Sequence, residues 1–434
     1  MRAESLAVWH KLGLLAVGVA TLWVRPCSAD DLWPQWRGAN GNGIVPPSNF
    51  PLKWSNEENV LFRYPLPGPA GSTPVVAGDR IFLTTAAGDD LHLLCLSTSG
   101  QELWNRKITT GNQTARGDEG NSAAPSPFTD GKHVWAMFGN GTLVCFTVDG
   151  EETWRRDLQA DYGAFDIQFG MTSTPVLHDG VIFLQLIHGP WNREPSVGVL
   201  AALDAKTGEQ KWMVKRQTDA YSENKHSYAS PVIYDDGTYR YFICHGADYV
   251  TGHDLETGAE IWRCGGLNPA SNYNEYLRFV SSPAVGPGLI VAPTAKSGAV
   301  IAIRPGGKGD ITGSEFVAWK VEEVTPDVPS PIVTDKYVYL CRENGIVVCL
   351  DSKTGDVLYK ERTNGHNHRA SPVLSGDRWL ITSRQGVITV LKAGSDFEVL
   401  AVNEMKEPIA SSPVIVGDRL YIRSFDALYA IGTK

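Results

Sequence analysis

The stretch DAKTGEQKW at residues 204–212 decides the fold, because the chain returns to the same pattern at intervals. DLETGAEIW at residues 254–262 repeats it, and DSKTGDVLY at residues 351–359 repeats it with tyrosine in the last place. The glycine suits a tight turn into a strand, and the aromatic residue four positions later offers a large flat surface for packing. The stretch therefore predicts a repeat protein whose units pack through aromatic side chains.

Each repeat opens with Ser-Pro or Ser-Thr-Pro, followed by a short apolar strand and, in most copies, a Gly/Asp turn. Proline lacks an amide proton, so it is tolerated at the start or the edge of a strand. The copies begin about 41 to 56 residues apart, which is the spacing of four-stranded propeller blades. The eight openings are Ser72-Thr73-Pro74, Ser126-Pro127, Ser173-Thr174-Pro175, Ser230-Pro231, Ser282-Pro283, Ser330-Pro331, Ser371-Pro372 and Ser412-Pro413.

The eighth repeat ends at Ile431 after its third strand, so its outer strand must come from elsewhere. Near the N-terminus, Pro51-Leu52-Lys53-Trp54 looks like the outer strand that ends at Trp212. We expect this stretch to complete the eighth blade and to close the ring, because an open ring would expose an unpaired edge. The aromatic residues expected to dock between blades are Trp54, Trp104, Trp154, Trp212, Trp262, Trp319 and Tyr359.

The D-x-x-T-G-x-x-x-W pattern resembles the tryptophan-docking motif of the pyrroloquinoline-quinone (PQQ) dehydrogenases and of the assembly lipoprotein BamB. The opening WPQWRGAN at residues 33–40 is also similar to the start of many exported PQQ-binding-like propellers. The resemblance covers nearly the whole mature chain. It implies an all-β, eight-bladed β-propeller with four-stranded antiparallel blades, a single domain over residues 30–434 that is closed by an N-terminal strand.

Residues 1–29 have the pattern of a secretory signal peptide. Arg2 and Lys11 precede an apolar run over residues 12–24, and Cys27-Ser28-Ala29 provides a small-residue cleavage site. The run is shorter than the ~20 residues of a membrane span, so we expect cleavage after Ala29 and no stable span. Lipidation of Cys27 would require a lipobox, with small residues just before the cysteine. Arg25 and Pro26 occupy those positions, so the sequence does not match a lipobox. We expect an exported protein, periplasmic or extracellular.

The net charge of the chain indicates which class of partner it can bind. The net charge is −9 and no cluster of lysine and arginine occurs, which argues against nucleic acid. We expect a monomer whose partner is a protein, peptide or glycan of the cell envelope.

The positions of the cysteines indicate how they pack and whether the chain could bind PQQ as a quinoprotein does. Cys95, Cys145 and Cys349 fall at one position of the repeat, which predicts a small buried site on the third strand. Other copies of the repeat hold alanine there, at Ala202, Ala302 and Ala430. No two cysteines are adjacent, whereas quinoprotein alcohol dehydrogenases cover PQQ with a vicinal disulfide. The resemblance implies PQQ and Ca²⁺ as cofactors, but the missing cysteine pair argues against both. We therefore assign no cofactor and no catalytic residue.

Polar residues gather in the links between blades. Such links emerge on one face of a propeller, where a rigid scaffold holds functional loops at the channel mouth. His366 and His368 are spaced like a metal pair, yet we predict no metal because such loop residues mostly satisfy backbone groups. The candidate ligand- or partner-binding residues are Arg116, Asn121, Gln168, His226, Asn272, Asn274, Arg278, His366, His368 and Arg369.

Three functions are compatible with this pattern. The first is a non-catalytic exported propeller that recognises a protein, peptide or polar ligand on its loop-rich face. The second is a small PQQ- and Ca²⁺-dependent oxidoreductase, for which Asp166, Asn272 and Glu275 are calcium ligands of the right type. The third is a BamB-like outer-membrane assembly factor, against which the spoiled lipobox counts. The sequence contains no C-x-x-C, H-E-x-x-H or G-x-S-x-G motif, and this favours the first.

Overall fold

The computed structural model describes residues 32–115 and 120–433. Within these ranges the chain forms eight four-stranded antiparallel sheets arranged as the blades of a β-propeller, as the repeat predicts. Residues 1–29, for which the sequence predicts a signal peptide, and Arg116 lie outside the described residues. No helix in the described ranges is long and apolar enough to cross a membrane.

The blades follow one another along the chain, and each runs from the central channel outward. The strands of blades 1 to 4 are Val75–Ala77, Arg80–Ala87, Asp90–Ser97 and Glu102–Thr110; Phe128–Thr129, His133–Met137, Thr142–Thr147 and Glu152–Asp157; Val176–His178, Val181–Leu186, Ser196–Asp204 and Gln210–Thr218; Val232–Asp235, Arg240–Gly246, Tyr249–His253 and Glu260–Cys264.

The second half of the ring repeats this order. The strands of blades 5 to 8 are Ala284–Gly286, Leu289–Pro293, Val300–Ile303 and Val317–Val321; Ile332–Val333, Tyr337–Cys341, Ile346–Asp351 and Val357–Arg362; Val373–Ser375, Arg378–Thr382, Val387–Lys392 and Val399–Glu404; Val414–Val416, Arg419–Arg423, Ala427–Ile431 and Val60–Pro65.

A few short elements lie outside this pattern. Leu32–Trp33, Ile44–Val45 and Gly309–Asp310 add edge pairings to blades 1, 7 and 4. Thr114–Ala115 and Gly120–Asn121 pair with each other in the link between blades 1 and 2. The helical segments are Leu158–Tyr162 and the 3-10 turns Ser222–Lys225 and Ala270–Asn272.

An N-terminal strand closes the ring, but it is not the strand that the sequence predicted. Val60–Pro65 pairs with Ala427–Ile431 and completes blade 8, with Phe62 opposite Ala430 at the docking position. Trp54 is buried instead against blade 7, where its amide donates to Asn403 Oδ1 at 3.0 Å. The two stretches lie close together in sequence and each contains an aromatic residue, Trp54 in one and Phe62 in the other. The motif alone therefore indicated the wrong stretch.

The docking aromatics explain the glycine of the repeat. The Trp212 ring lies on Gly258 of the next blade, where an added Cβ would stand 2.6 Å from Cε3 of the indole. Trp104 lies on Gly150 in the same way, and its indole N–H donates to the Val148 carbonyl at 2.9 Å. Glycine is required because only it leaves room for the ring and tolerates the positive φ of that turn.

The small third-strand position is confirmed. Cys95 lies opposite Trp104 and Cys145 lies opposite Trp154, while Ala202 takes the same place opposite Trp212. A small side chain there leaves space for the aromatic residue on the outer strand.

The six described cysteines are unpaired and buried. Burial raises the pKa of Cys95 and Cys349 to about 12 and that of Cys145 and Cys264 to about 11. Because only the thiolate reacts, we expect protein that begins at residue 30 to resist iodoacetamide near pH 8 while folded. All six thiols should alkylate once guanidinium unfolds the chain, which mass spectrometry counts directly. Fast alkylation of any of them before unfolding would contradict its buried position.

A closed circle of hydrogen bonds surrounds the channel, and we call it the hydroxyl ring. In each blade the residue before the opening proline donates its backbone N–H to the side-chain hydroxyl of the equivalent residue in the next blade. The eight distances run from 2.8 to 3.3 Å, and Ser412 closes the circle onto Thr73. Its members are Thr73, Ser126, Thr174, Ser230, Ser282, Ser330, Ser371 and Ser412.

The N-terminal residues 33–45, which we call the channel plug, cross the channel on the side opposite the inter-blade links. Its ends pair with the inner strands of blades 1 and 7. Between them, the Pro34 carbonyl accepts from Thr129 of blade 2 at 2.8 Å, and Gln35 Oε1 accepts from Leu177 of blade 3 at 3.1 Å. The plug is therefore held by several blades at once.

Arg37 anchors the plug. Its guanidinium is buried and donates to the carbonyls of Asn42 at 2.8 Å, Ser330 at 3.2 Å and Pro331. No carboxylate pairs with it among the described residues, and burial lowers its pKa to about 9. Backbone carbonyls thus take the place of a counter-ion.

Candidate functional site

The channel holds a cavity of about 350 Å³ on the side of the inter-blade links, which we call the loop face. All eight members of the hydroxyl ring line this chamber, together with residues that directly precede the inner strands. Trp36 of the channel plug lines both this chamber and a second cavity of about 440 Å³ on the opposite side. The indole therefore forms the floor of the loop-face chamber.

Among the described residues that line the chamber, the charged ones are Arg278, Arg369 and Asp327. Arg278 Nη1 donates to Glu223 Oε1 at 3.2 Å, and the guanidinium stacks 5.2 Å from the Phe169 ring. Because Glu223 is almost fully buried, this ion pair fixes the arginine at the rim. Phe169 and Tyr228 supply the aromatic part of the wall.

Glu343 holds the wall segment that contains Asp327. Its carboxylate accepts the backbone N–H groups of Asp327 and of Val328, the latter at 2.7 Å. Burial, together with the nearby Asp327, raises the pKa of Glu343. The carboxylate thus stabilises the loop rather than presenting itself to the channel.

A second polar cluster joins the links before blades 4 and 5. The Asp248 carboxylate accepts from Tyr273 Oη at 2.5 Å, Asn268 Nδ2 at 3.1 Å and Asn224 Nδ2 at 3.3 Å. Burial raises the pKa of Asp248 to about 6. Asn224 Oδ1 also accepts the amide of Leu277 at 2.7 Å, so the network holds residues 268–278 rigidly in place.

Tyr276 projects from the segment that this network holds, and Trp191 lies beside it on the loop between the second and third strands of blade 3. Trp191 and Tyr276 are 48% and 54% exposed and meet edge to face, with ring centroids 6.0 Å apart. Arg193 lies beside them, paired with Glu275 at 2.5 Å and stacked 5.5 Å from the Tyr221 ring. We call Trp191, Arg193 and Tyr276 the aromatic patch.

The structure separates the residues that the sequence grouped at the channel mouth. Among the described candidates, Arg278 and Arg369 line the chamber. His226 is buried beneath the aromatic patch, where Nε2 lies 3.0 Å from the Gly189 carbonyl and burial lowers its pKa. Gln168 and Asn272 are exposed.

The other amide and imidazole candidates hold turns. Asn121 donates to the Pro69 carbonyl at 2.7 Å, and Asn274 Oδ1 accepts the Tyr276 amide at 3.0 Å. His368 is buried with its pKa lowered to about 4, and its Nδ1 contacts the His366 carbonyl at 3.1 Å. No group of three or more metal-binding side chains occurs in the described parts of the chain.

The side chains considered for Ca²⁺ do not fit a calcium site in the chamber. Asp166, Asn272 and Glu275 are all absent from its described lining. Glu275 is engaged by Arg193 and by Ser222 Oγ at 2.9 Å. These three residues therefore do not converge on the channel as the quinoprotein alternative requires.

Sequence reasoning used the repeat openings only as strand starts and missed the hydroxyl ring. The signal was present, since the residue before the opening proline is Ser or Thr in every copy. Trp36 was likewise part of a quoted motif, but nothing in the sequence places it in the channel. Nothing in the sequence indicated that Tyr276 would be exposed on the surface, because its exposure depends on the conformation of the loop.

The fold and the chamber define a closed eight-bladed propeller of the PQQ-like repeat class. A family model described as outer membrane protein assembly factor BamB matches residues 69–192 and 95–361, and the chain belongs to this family. BamB of Yersinia pestis is 22% identical over 364 residues, which cover 81% of this chain and 80% of the relative.

Solved structures show the same fold. BamB from Moraxella catarrhalis matches with a TM-score of 0.64 at 14% identity, over 86% of this chain and 99% of that one. A quinohemoprotein alcohol dehydrogenase from Pseudomonas putida HK5 also matches with a TM-score of 0.64, at 12% identity, over 94% of this chain and 81% of that one. At these identities the likeness concerns the fold alone.

Proposed function

We propose that this protein is a non-catalytic assembly factor of the cell envelope that holds another protein on its loop face. Family membership supports this reading over a generic scaffold, because the matching relatives are named outer membrane protein assembly factors. The proposal places the protein outside the cytoplasm, with an outer membrane protein, or a subunit that assembles one, as its partner.

The aromatic patch is the observation that carries the proposal. Protein interfaces concentrate their binding energy in Trp, Tyr and Arg side chains, and all three occur here side by side on the surface. The Asp248 network holds the segment that carries Tyr276, so this side chain loses little conformational entropy when a partner binds. A rigid, partly apolar surface on long loops is suited to holding a protein.

Affinity capture from the organism's own solubilised envelope tests the proposal. We expect protein that begins at residue 30 to retain an outer membrane protein, identified by mass spectrometry. The Trp191→Ala/Tyr276→Ala variant should retain at least about tenfold less, since loss of two such anchors costs more than 1.4 kcal/mol.

The matched control is Leu103→Ala/Tyr239→Ala, which removes two side chains of similar exposure, 44% and 38%, away from the patch. It should bind as the unmodified protein does. Equal capture by the patch variant and the control would show that the aromatic patch does not bind the partner. Reduction of a dye by the protein with PQQ, Ca²⁺ and an alcohol would favour the oxidoreductase instead.

A further inference from the structure

We infer that the loop-face chamber binds the carboxylate at the end of a ligand, and that the natural source of this carboxylate is the C-terminus of a polypeptide. The inference concerns the channel rather than the aromatic patch, so it stands or falls independently of the proposed function.

The hydroxyl ring gives the chamber an excess of hydrogen-bond donors. Every ring hydroxyl oxygen accepts a backbone N–H, and within the described ranges none of the eight donates its proton to a protein acceptor. All eight residues are at most 6% exposed and line the chamber. Buried donors require acceptors, and a carboxylate offers acceptor sites only.

The charges of the wall favour the same ligand. The described lining of the chamber includes two arginines, Arg278 and Arg369, and one carboxylate residue, Asp327. Asp327 Oδ1 already accepts the Lys296 amide at 3.2 Å, and Glu223 engages Nη1 of Arg278 alone. The remaining N–H groups of Arg278 can therefore donate to an entering anion, in a bond strengthened by both charges.

The shape of the chamber selects the end of a chain over its middle. The channel plug crosses the channel below the chamber and Trp36 forms its floor, so a polypeptide can enter from the loop face but cannot pass through. The hydroxyl donors and the two arginines of the chamber disfavour the positively charged ammonium group at the N-terminus of a polypeptide. Phe169, Tyr228 and Trp36 provide an apolar wall for the last side chain. About 350 Å³ lies near the lower end of the range for ligand pockets, which suits a chain end.

Calorimetry with matched probes tests the inference. We expect the peptide Ala-Ala-Phe with a free carboxylate to bind protein that begins at residue 30 at least about tenfold more tightly than the same peptide with a C-terminal amide. The Arg278→Gln/Arg369→Gln variant should lose this preference, whereas Leu103→Ala, at an exposed position outside the described lining of the chamber, should keep it. If the double variant does not fold, Arg369→Gln alone serves, and the acid–amide comparison itself needs no variant.

A second arm distinguishes the two sources of the carboxylate. We expect 3-phenylpropionate, a free acid with the same aromatic end, to bind more weakly than the peptide, because it makes no main-chain contacts. Tighter binding of 3-phenylpropionate would assign the chamber to a small organic acid and overturn the polypeptide source. Equal affinity for peptide acid and amide, or binding of neither, would overturn the carboxylate site altogether.

Discussion

A protein that begins at Pro67 is expected to lose its stable ring, whereas one that begins at Glu58 should still fold. The longer truncation removes Val60–Pro65 and leaves Ala427–Ile431 as an unpaired apolar edge. It also removes Phe62, whose ring lies on Gly100 and joins blade 8 to blade 1. An exposed edge of this kind pairs with other chains, so the expected product is aggregated or only partly folded.

Both truncations lack the channel plug and Trp54, which makes them a matched pair for the closing strand alone. Size-exclusion chromatography and thermal melts provide the measurement. The protein that begins at Glu58 should elute as a monomer with a cooperative melt, at a lower temperature than protein that begins at residue 30. The same elution and melt for both truncations would show that Val60–Pro65 does not close the ring.

Replacement of Trp262 or Trp212 by alanine is expected to lower the free energy of unfolding by about 3–5 kcal/mol, the usual cost of deleting a buried tryptophan side chain. Trp262 is 1% exposed and meets Tyr241 edge to face at 5.8 Å. Replacement of Trp212 also removes the hydrogen bond of 2.9 Å that its indole N–H donates to the Leu255 carbonyl. Each change therefore leaves a cavity between two blades.

Denaturant melts measure the effect, and Trp191→Ala serves as the control because its side chain is 48% exposed. The control should shift the free energy of unfolding by less than about 0.5 kcal/mol. A loss below about 1 kcal/mol for both buried tryptophans would mean that the interface between blades does not depend on them.

The fold could be predicted because its determinants repeat. Asp204-x-x-Thr207-Gly208 forms the same turn wherever it occurs, with Asp204 Oδ1 accepting the Thr207 amide at 2.9 Å, so each copy supports the others. The closing strand occurs once and has no copy to support it. Trp54 satisfied the motif, and only the pairing of Phe62 with Ala430 shows which stretch completes the blade.

The site was harder to predict because it depends on residues brought together from distant parts of the chain. Arg278 and Arg369 could be named, since they directly precede inner strands and the repeat places such residues near the channel. Their neighbour Trp36 comes from a segment that belongs to no repeat, and its position follows from bonds to several blades. His368 shows the opposite error, because an imidazole that looked available is buried and held by its own loop.

The strand at Val60–Pro65 also sets the order of events during biosynthesis. Its partner Ala427–Ile431 follows all the other blades in the sequence, so the two strands cannot meet until those blades have been synthesised. At 5–20 residues per second, the first strand waits roughly 20–70 s with its backbone unpaired. During that interval the nascent chain presents a free strand at one end and incomplete blades behind it. Protection of this early segment, by a chaperone or by delayed folding, is therefore a requirement that the circular topology imposes on the cell.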